Sequence, residues 1–156
     1  MRFGFIAILA ASSASAQTAP AIDVRAAQAI IAGCTAHATA NRNTQAIAVV
    51  DTGGRLIAAL RMDRTTYGKM DFAVAKATAA AAWGFDTAGQ GEGAKDFPGF
   101  ADAPQVETVP GGIPVWSADG RQFIGGVGVS GAAPADDVAC ARAGVTAAGL
   151  KLERVR

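Results

Sequence analysis

Residues Phe123–Asp137 read FIGGVGVSGAAPADD, and the part from Gly126 to Gly131, GVGVSG, matches the dinucleotide-binding pattern G-x-G-x-x-G. A dinucleotide site requires a βαβ unit, in which a parallel strand follows the helix and carries an acidic residue. Here the strand before the glycines is the second arm of a predicted hairpin, and only KLERVR follows the last predicted helix. The match therefore does not indicate a dinucleotide site.

The glycines of this stretch need another role. Gly125, Gly126, Gly128 and Gly131 remove side chains from a strand and from its end, and glycine weakens a strand unless a bulge, a bend or a close approach uses the space. One interpretation is a bulged strand against which a helix packs closely. The other is the floor of a ligand pocket with exposed backbone N–H groups, which makes Gly128, Ser130 and Gly131 candidate ligand-binding residues.

Hydrophobic periodicity and turn residues predict three helices and two β-hairpins. The helices run from Asp23 to about Arg42, from about Tyr67 to Trp83, and from Pro134 to about Ala148. The hairpins turn at Gly53–Gly54 and near Asp119–Gly120. Residues 84–111 contain glycine and proline without a clear period, which predicts a long loop of the kind that is commonly functional. The predicted order is α-β-β-α-loop-β-β-α.

The first residues, MRFGFIAILAASSASAQ, have the three parts of a secretory signal peptide. Arg2 supplies the positive charge, Phe3–Ala11 the short apolar segment, and Ala14–Ala16 the A-x-A cleavage site. We expect residues 1–16 to be removed, residues 17–22 to form a short linker and residues 23–156 to fold as one domain. The apolar segment is too short to span a bilayer, so we expect a periplasmic or secreted protein without membrane insertion.

Charge excludes two classes of partner. The 156-residue chain has 14 basic and 13 acidic residues, and loss of Arg2 with the signal peptide leaves 13 of each. The basic residues form no runs. We therefore expect neither nucleic acid nor an anionic membrane surface as a partner.

The cysteine count permits one disulfide. Cys34 and Cys140 are the two cysteines of the chain, and an even number in an oxidising compartment can pair. Neither lies in a C-x-x-C motif, which excludes a thioredoxin-type site and a zinc ribbon. The residues alone leave a disulfide and two free thiols equally open.

Four segments, in this order and spacing, resemble the GlcG/HbpS family of heme-binding-type domains, which also form the C-terminal part of PduO-type corrinoid adenosyltransferases. They are AVVDTGGRLIAALRMD, AVAKATAAA, PGGIPV and IGGVGVSGAAPADDVACA. The similarity extends over roughly residues 23–148. Among the positions that match family markers are Asp51, Arg61, Lys76, Gly128–Gly131 and Asp137.

This resemblance implies an α+β fold, in which an antiparallel, four- to five-stranded sheet is flanked by helices. It implies homo-oligomers, often octamers, and the binding of heme or a related tetrapyrrole in some members. It also implies that the first and last helices lie side by side. A row of small residues on the last helix then admits the first helix closely, which implies a disulfide between Cys34 and Cys140. That row is Cys140, Ala143, Gly144 and Ala147.

Arg61 and Lys76 are the candidate contacts for a ligand carboxylate, such as a heme propionate or a small organic acid. A solvated face with local ion pairs would explain the same two residues without a ligand. His37, the single histidine, lies at the border of the apolar stripe of the first helix. It is therefore either a boundary residue or a heme ligand. The sequence lacks C-x-x-C-H, which excludes covalent c-type heme.

The second helix carries an additional apolar row, formed by Phe72, Ala79 and Trp83. A helix that is apolar on two sides is buried on two sides, so the row predicts an oligomer contact. The alternative is that nearby aromatic side chains line the pocket of a flat ligand. They are Phe85, Phe97 and Phe100.

Catalytic motifs are missing from the sequence, which has no Ser/His/Asp spacing and no cluster of metal ligands. The first hypothesis is therefore an exported protein that binds heme, a related tetrapyrrole or a small carboxylate without turnover. One alternative is an enzyme that acts on a small organic acid through Arg61 and a carboxylate base. The other is a structural or accessory oligomer that serves a periplasmic partner.

Overall fold

The computed structural model describes residues 21–155, so the predicted signal peptide and most of the predicted linker lie outside the described residues. Within that range four helices, one 3-10 turn and four strands follow one another. They are α1 (Val24–Ala40), β1 (Ala46–Val50), β2 (Leu56–Arg61), α2 (Tyr67–Trp83), α3 (Thr87–Asp96), the 3-10 turn (Pro98–Asp102), β3 (Gly112–Trp116), β4 (Phe123–Ser130) and α4 (Pro134–Ala147). None of these helices is long and apolar enough to cross a membrane.

The two hairpins join into one antiparallel sheet with the strand order β2-β1-β4-β3. Strand β1 pairs with β2 inside the first hairpin and with β4 of the second, so that Ala46 lies opposite both Arg61 and Ser130. The two central strands are buried almost throughout. The α+β prediction is confirmed, and the glycine-rich strand is a central strand of an antiparallel sheet.

Helices cover both faces of the sheet. Alternate residues of a strand point to opposite faces, so Ile47 and Val49 of β1 join the core beneath α1 and α4. Ala46, Ala48 and Val50 face the other way and pack against α2. The α2 side of the core is therefore built from small residues, and the helix lies close to the sheet.

The glycines of β4 permit this close approach. A Cβ atom added to Gly128 would lie 2.0 Å from the carbonyl oxygen of Ala73, and one added to Gly126 would lie 2.5 Å from that of Ala77. Strand β4 also bulges at Ile124, next to Gly125, whose φ of 149° L side chains rarely adopt. The first interpretation of the glycines is confirmed, because a helix packs against a bulged strand.

Helices α1 and α4 pack side by side through small residues. A Cβ atom on Gly144 would lie 2.5 Å from the carbonyl oxygen of Ile30, and one on Gly33 would lie 2.5 Å from the Cβ of Ala147. A disulfide joins Cys34 to Cys140, whose Cα atoms are 4.5 Å apart. The predicted pairing of the cysteines is confirmed.

The prediction of a long loop over residues 84–111 is wrong, because this segment contains α3 and the 3-10 turn. Helix α3 has no apolar stripe, and polar contacts hold it instead. Asp86 caps its first turn by accepting a hydrogen bond from the Gly89 N–H at 2.7 Å. Gln90 is fully buried, donates to the Ala79 carbonyl and accepts from the Glu107 N–H. Hydrophobic periodicity cannot detect a helix of this kind.

The same segment covers part of the second apolar row of α2. The Trp83 indole donates to the Pro104 carbonyl at 3.2 Å, and its ring meets the Phe100 ring edge-on at 4.9 Å between centroids. Ala79 is buried beneath Gln90. Part of the row that predicted an oligomer contact is therefore buried within the chain itself.

Candidate functional site

Three of the predicted ligand-binding residues lie together at the end of the sheet where α4 begins. The Lys76 ammonium reaches the end of β4, and Ser130 and Gly131 close that strand. Arg61 lies on the other side of β1, because both Arg61 and Ser130 pair with Ala46. Two strand spacings, about 10 Å, separate their backbones. Gly128 lies farther along β4, beneath α2.

Lys76 is an interior residue of the protein, with 1% of its surface exposed. Its Nζ lies 3.3 Å from Oδ2 of Asp137 and donates to the Val129 carbonyl at 3.1 Å. The face of the Phe72 ring lies 4.7 Å from the same atom, within the range of a cation–π contact. The carboxylate that Lys76 meets in this structure therefore belongs to the chain, and its contact with a ligand carboxylate stays a prediction.

Asp137 organises the polar cluster around Lys76. Its Oδ1 accepts hydrogen bonds from the Gln45 side-chain amide at 2.8 Å and from the Ala132 N–H at 3.1 Å, while Oδ2 faces Lys76. Gln45 is fully buried, and sequence analysis did not identify it as a site residue. Nothing local in the sequence connects positions 45, 76 and 137, because the sheet alone brings them together.

Burial lowers the pKa of Lys76 below its ordinary value, and the attraction of Asp137 opposes the shift only in part. A buried ammonium loses its hydration, and one carboxylate with one carbonyl does not replace it fully. The cluster resembles a structural ion pair more than a binding site, because water does not reach its charged atoms.

Ser130 and Gly131 also lie within packed surroundings. Ser130 is 5% exposed, and the Gly131 carbonyl accepts a hydrogen bond from Lys69 Nζ at 2.8 Å. A side chain on Gly131 would meet the Thr44 carbonyl at 2.6 Å. The backbone of β4 pairs with strands on both sides, so its N–H groups are not the open floor that the second interpretation of the glycines required.

Arg61 borders an open groove of about 590 Å³ between the C-terminal half of α1 and the edge strand β2. The groove is lined by Thr35, Thr39, Arg42, Asn43, Thr44, Leu60, Arg61, Met62, Asp63 and Arg64. One guanidinium nitrogen of the exposed Arg61 donates to the Thr65 carbonyl, which orients the side chain beside the turn that follows β2. We call this space the arginine groove.

The arginine groove combines positive charge with apolar surface. Three arginines and one aspartate line it, in a chain whose 14 basic and 13 acidic residues nearly balance overall. Leu60 is 37% exposed and supplies an apolar wall, and Met62 lies beside it with its sulfur accepting from the Gln45 N–H at 3.4 Å. Such a lining suits an amphipathic anion, because the apolar body and the carboxylates both find partners. Sequence analysis identified Arg61 as a candidate ligand contact and did not assign Arg42 or Arg64 to the ligand.

His37 does not line the arginine groove. It follows Gly33 by one helical turn, and residues four apart share a helix face. Gly33 packs on α4, whereas Thr35 and Thr39 face the groove. The role of His37 as a heme ligand stays a prediction that this groove does not support.

Asp51 and Asp63, two carboxylates that could serve as a base beside Arg61, lie at opposite ends of strand β2. Oδ1 of Asp51 accepts hydrogen bonds from the Gly53 and Arg55 N–H groups at 2.8 and 2.9 Å, so it stabilises the hairpin turn. Asp63 follows the opposite end of β2. Among residues 21–155, no three His, Cys, Asp or Glu side chains are grouped so as to hold a metal ion.

The sequence matches the family model described as "Haem degrading protein HbpS-like" over residues 22–146. Among curated protein sequences, none matches this chain. Solved structures that share its fold include a mutant of HbpS, the protein ORFY and PduOC.

A Streptomyces reticuli HbpS double mutant is 26% identical with a TM-score of 0.77, and the alignment covers 92% of this chain and 97% of that one. Klebsiella pneumoniae protein ORFY is 26% identical with a TM-score of 0.78, and the alignment covers 86% and 95%. A heme complex of PduOC is 21% identical with a TM-score of 0.77, and the alignment covers 86% and 99%. The PduOC comparison bears on the fold alone.

Proposed function

This chain belongs to the HbpS-like family, and from that premise we propose that it is an exported protein that binds heme or a related tetrapyrrole without turnover. The family match carries the proposal. PduOC, which shares this fold at 21% identity, was solved as a heme complex.

The arginine groove is the proposed location of the ligand. Its volume of about 590 Å³ lies within the usual range for small-molecule sites, about 300–1,000 Å³. Heme joins a flat apolar ring to two propionates, and the groove offers an apolar wall at Leu60 and Met62 together with three arginines in its lining. Among the lining residues, Met62 is of a type that ligates heme iron. The residues present therefore fit the carboxylates and the ring of the ligand.

Arg61 would bind a propionate through its planar guanidinium, since its known partner within the chain is a single carbonyl. Titration of hemin into protein that lacks residues 1–16 should give a saturable shift of the Soret band. The variant Arg61→Ala should weaken binding by about 2–4 kcal/mol, as expected for the loss of a charge-paired donor. Arg55→Ala is the matched control, because Arg55 lies at the other end of the same hairpin and outside the groove.

The result that would overturn the proposal is the absence of any saturable Soret change with the unmodified protein. A loss below about 0.5 kcal/mol in Arg61→Ala would move the ligand to another surface. Unfolding midpoints of both variants should be measured alongside, because Arg61 also bonds to the Thr65 carbonyl.

Heme degradation is a second candidate function, and the description of the matched family favours it. Iron in a bound heme supplies redox chemistry, and opening of the ring consumes an oxidant. The hemin complex should therefore be exposed to hydrogen peroxide, with free hemin as the control. A Soret band that persists supports binding without turnover, whereas protein-dependent loss of the band with a defined product supports degradation.

Export and homo-oligomer formation are part of the proposal. The disulfide between Cys34 and Cys140 supports an oxidising compartment, and the edge strand β2 exposes Leu56 outside the arginine groove, which suits a protein contact. Intact mass of periplasmic material should correspond to a chain that begins at Gln17, and light scattering should give a multimer. Retention of Met1 would contradict export, and a monomer mass at micromolar concentration would contradict the oligomer.

A further inference from the structure

Two arginines that line the arginine groove have a backbone conformation that arginine rarely adopts. Arg42 has φ of 58° and Arg64 has φ of 64°. Among the described residues, the only other non-glycine residue with positive φ is Gln105. Left-handed backbone is unfavourable for residues with a Cβ atom, and it concentrates at functional sites.

Both positions are ones where glycine or asparagine is the ordinary choice. Arg42 follows the C-cap Asn41 of α1, and the Asn43 N–H donates back to the Ala38 carbonyl at 2.9 Å, as in a helix end closed by a left-handed residue. Arg64 occupies the third position of the turn in which the Thr65 N–H donates to the Met62 carbonyl at 3.1 Å. The chain thus carries a large cation at two turns that would favour glycine.

These two turns flank one groove from opposite sides. Arg42 extends from the end of α1, and Arg64 follows β2 together with Arg61. Neither Arg42 nor Arg64 forms an ion pair within residues 21–155, where the ion pairs are Lys76–Asp137 and Lys95–Glu92. Three arginines therefore border one groove together with a single acidic residue, Asp63.

One wall also holds a polar atom without a partner. The Thr35 hydroxyl is buried on the groove side of α1 and makes no hydrogen bond within the described chain. Buried hydroxyls are nearly always hydrogen-bonded in proteins. The Thr35 hydroxyl therefore lacks the hydrogen-bond partner that a buried hydroxyl ordinarily has.

We infer that the arginine groove selects ligands that carry two carboxylates, one bound from the α1 side by Arg42 and one from the β2 side by Arg61 and Arg64. The inference rests on the proposed function for the identity of the ring between the carboxylates. A guanidinium donates two parallel N–H bonds to a carboxylate, and an ester offers no charge to complete this pairing. Esterification of both carboxylates should therefore remove most of the affinity that the arginines provide.

The test compares hemin with hemin dimethyl ester, titrated under the same co-solvent and followed by the Soret band. The unmodified protein should bind hemin about tenfold or more tightly than the ester, since an arginine–carboxylate pair exceeds a neutral hydrogen bond in strength. In the double variant Arg42→Gly/Arg64→Gly the two affinities should become nearly equal. Glycine adopts positive φ without strain, so the unfolding midpoint of this variant should not fall.

Two further variants make the test specific. Arg42→Lys/Arg64→Lys retains the charge but loses the planar pair of donors, and should keep only part of the preference for hemin. Arg55→Ala changes the net charge outside the groove, and this variant should retain the full preference for hemin over the ester. Calorimetry with citrate, a small polycarboxylate without a ring, measures the carboxylate site independently of heme.

The outcomes separate this inference from the proposed function. If hemin and its dimethyl ester bind equally well to the unmodified protein, heme binding stands and the dicarboxylate selectivity is overturned. If hemin does not bind but citrate binds and depends on Arg42 and Arg64, the selectivity stands and the proposed function is overturned. If neither hemin nor citrate binds, both are overturned.

Discussion

The Cα atoms of Cys34 on α1 and Cys140 on α4 lie 4.5 Å apart, although 106 positions separate the two cysteines in sequence. Both side chains are fully buried where the two helices pack side by side on one face of the sheet. The bridge therefore joins the first helix of the described chain to the last one.

Loss of this bridge should destabilise the protein strongly. A disulfide that closes a loop of about 100 residues stabilises by roughly 4–5 kcal/mol in the chain-entropy model, an upper figure if native strain intervenes. Urea unfolding of Cys34→Ala/Cys140→Ala against the unmodified protein measures the loss. Titration of thiols in denaturant without reductant is the independent check, and two free thiols in protein from the periplasm would refute the bridge.

The buried Lys76–Asp137 pair should be far more sensitive than a pair at the surface. Asp137→Ala leaves the Lys76 ammonium buried with one carbonyl and one aromatic face, and should destabilise by about 3–5 kcal/mol. Lys76→Met should destabilise less, because Asp137 retains the donors of Gln45 and Ala132. Both effects are measurable by denaturant unfolding.

The control for this prediction is Glu92→Ala, which removes the exposed pair between Lys95 and Glu92 at 2.7 Å. Exposed pairs contribute little, so the change should stay below about 1 kcal/mol. Equal losses of stability in Asp137→Ala and Glu92→Ala would contradict the prediction, because the buried pair would then stabilise the protein no more than the exposed pair does.

Stability should rise with pH through the titration of Lys76. Burial lowers the pKa of Lys76 in the folded state below the ordinary value of 10.5. Between these two pKa values the unfolded chain binds more protons than the folded chain, so the free energy of unfolding increases as pH rises. The stability difference between the unmodified protein and Lys76→Met should therefore shift in favour of the unmodified protein as pH approaches 10.5.

This dependence is measured by urea unfolding of both proteins at a series of pH values from neutrality upward. Lys95→Met serves as the control, because Lys95 is 71% exposed. The stability difference between this variant and the unmodified protein should not change with pH. A difference that stays constant or moves against the unmodified protein would contradict the prediction.

Gly128→Ala should damage the contact between β4 and α2. The new Cβ atom would lie 2.0 Å from the Ala73 carbonyl oxygen and 2.4 Å from the Ala77 nitrogen. Both are backbone atoms of a helix, so the helix must shift, and overpacking of this kind destabilises by about 1–3 kcal/mol or more.

Gly68→Ala is the matched control for Gly128→Ala. Gly68 lies in the first turn of the same helix, and an added Cβ atom there meets nothing within 4 Å. Alanine favours the helix relative to glycine, so this variant should be as stable as the unmodified protein or slightly more stable. Thermal unfolding of the two variants compares them directly, and a stable Gly128→Ala protein would count against close packing.

The residue pattern alone was sufficient to predict the three long helices and the two hairpins, and the family resemblance implied the antiparallel sheet. Each of these depends on neighbours within a few positions: Asp23 caps α1, Gly84 ends α2 in a left-handed conformation, and Pro134 begins α4. Hydrophobic periodicity and the residues at caps and turns are visible in a short stretch of sequence, so they predict these elements directly. The resemblance of four segments to a known family then predicted the packing of α1 on α4 and the pairing of the cysteines.

Only the tertiary structure decided what the polar residues do. Lys76 and Asp137 are 61 positions apart, and the sheet brings them together in the interior, where they form an ion pair. Arg42 and Arg64 line one groove because a helix end and a strand end meet there, which no local pattern encodes. Helix α3 depends on Gln90 and on bonds to distant backbone groups. Side-chain roles of this kind depend on long-range contacts and burial, and these exist only once the chain has folded.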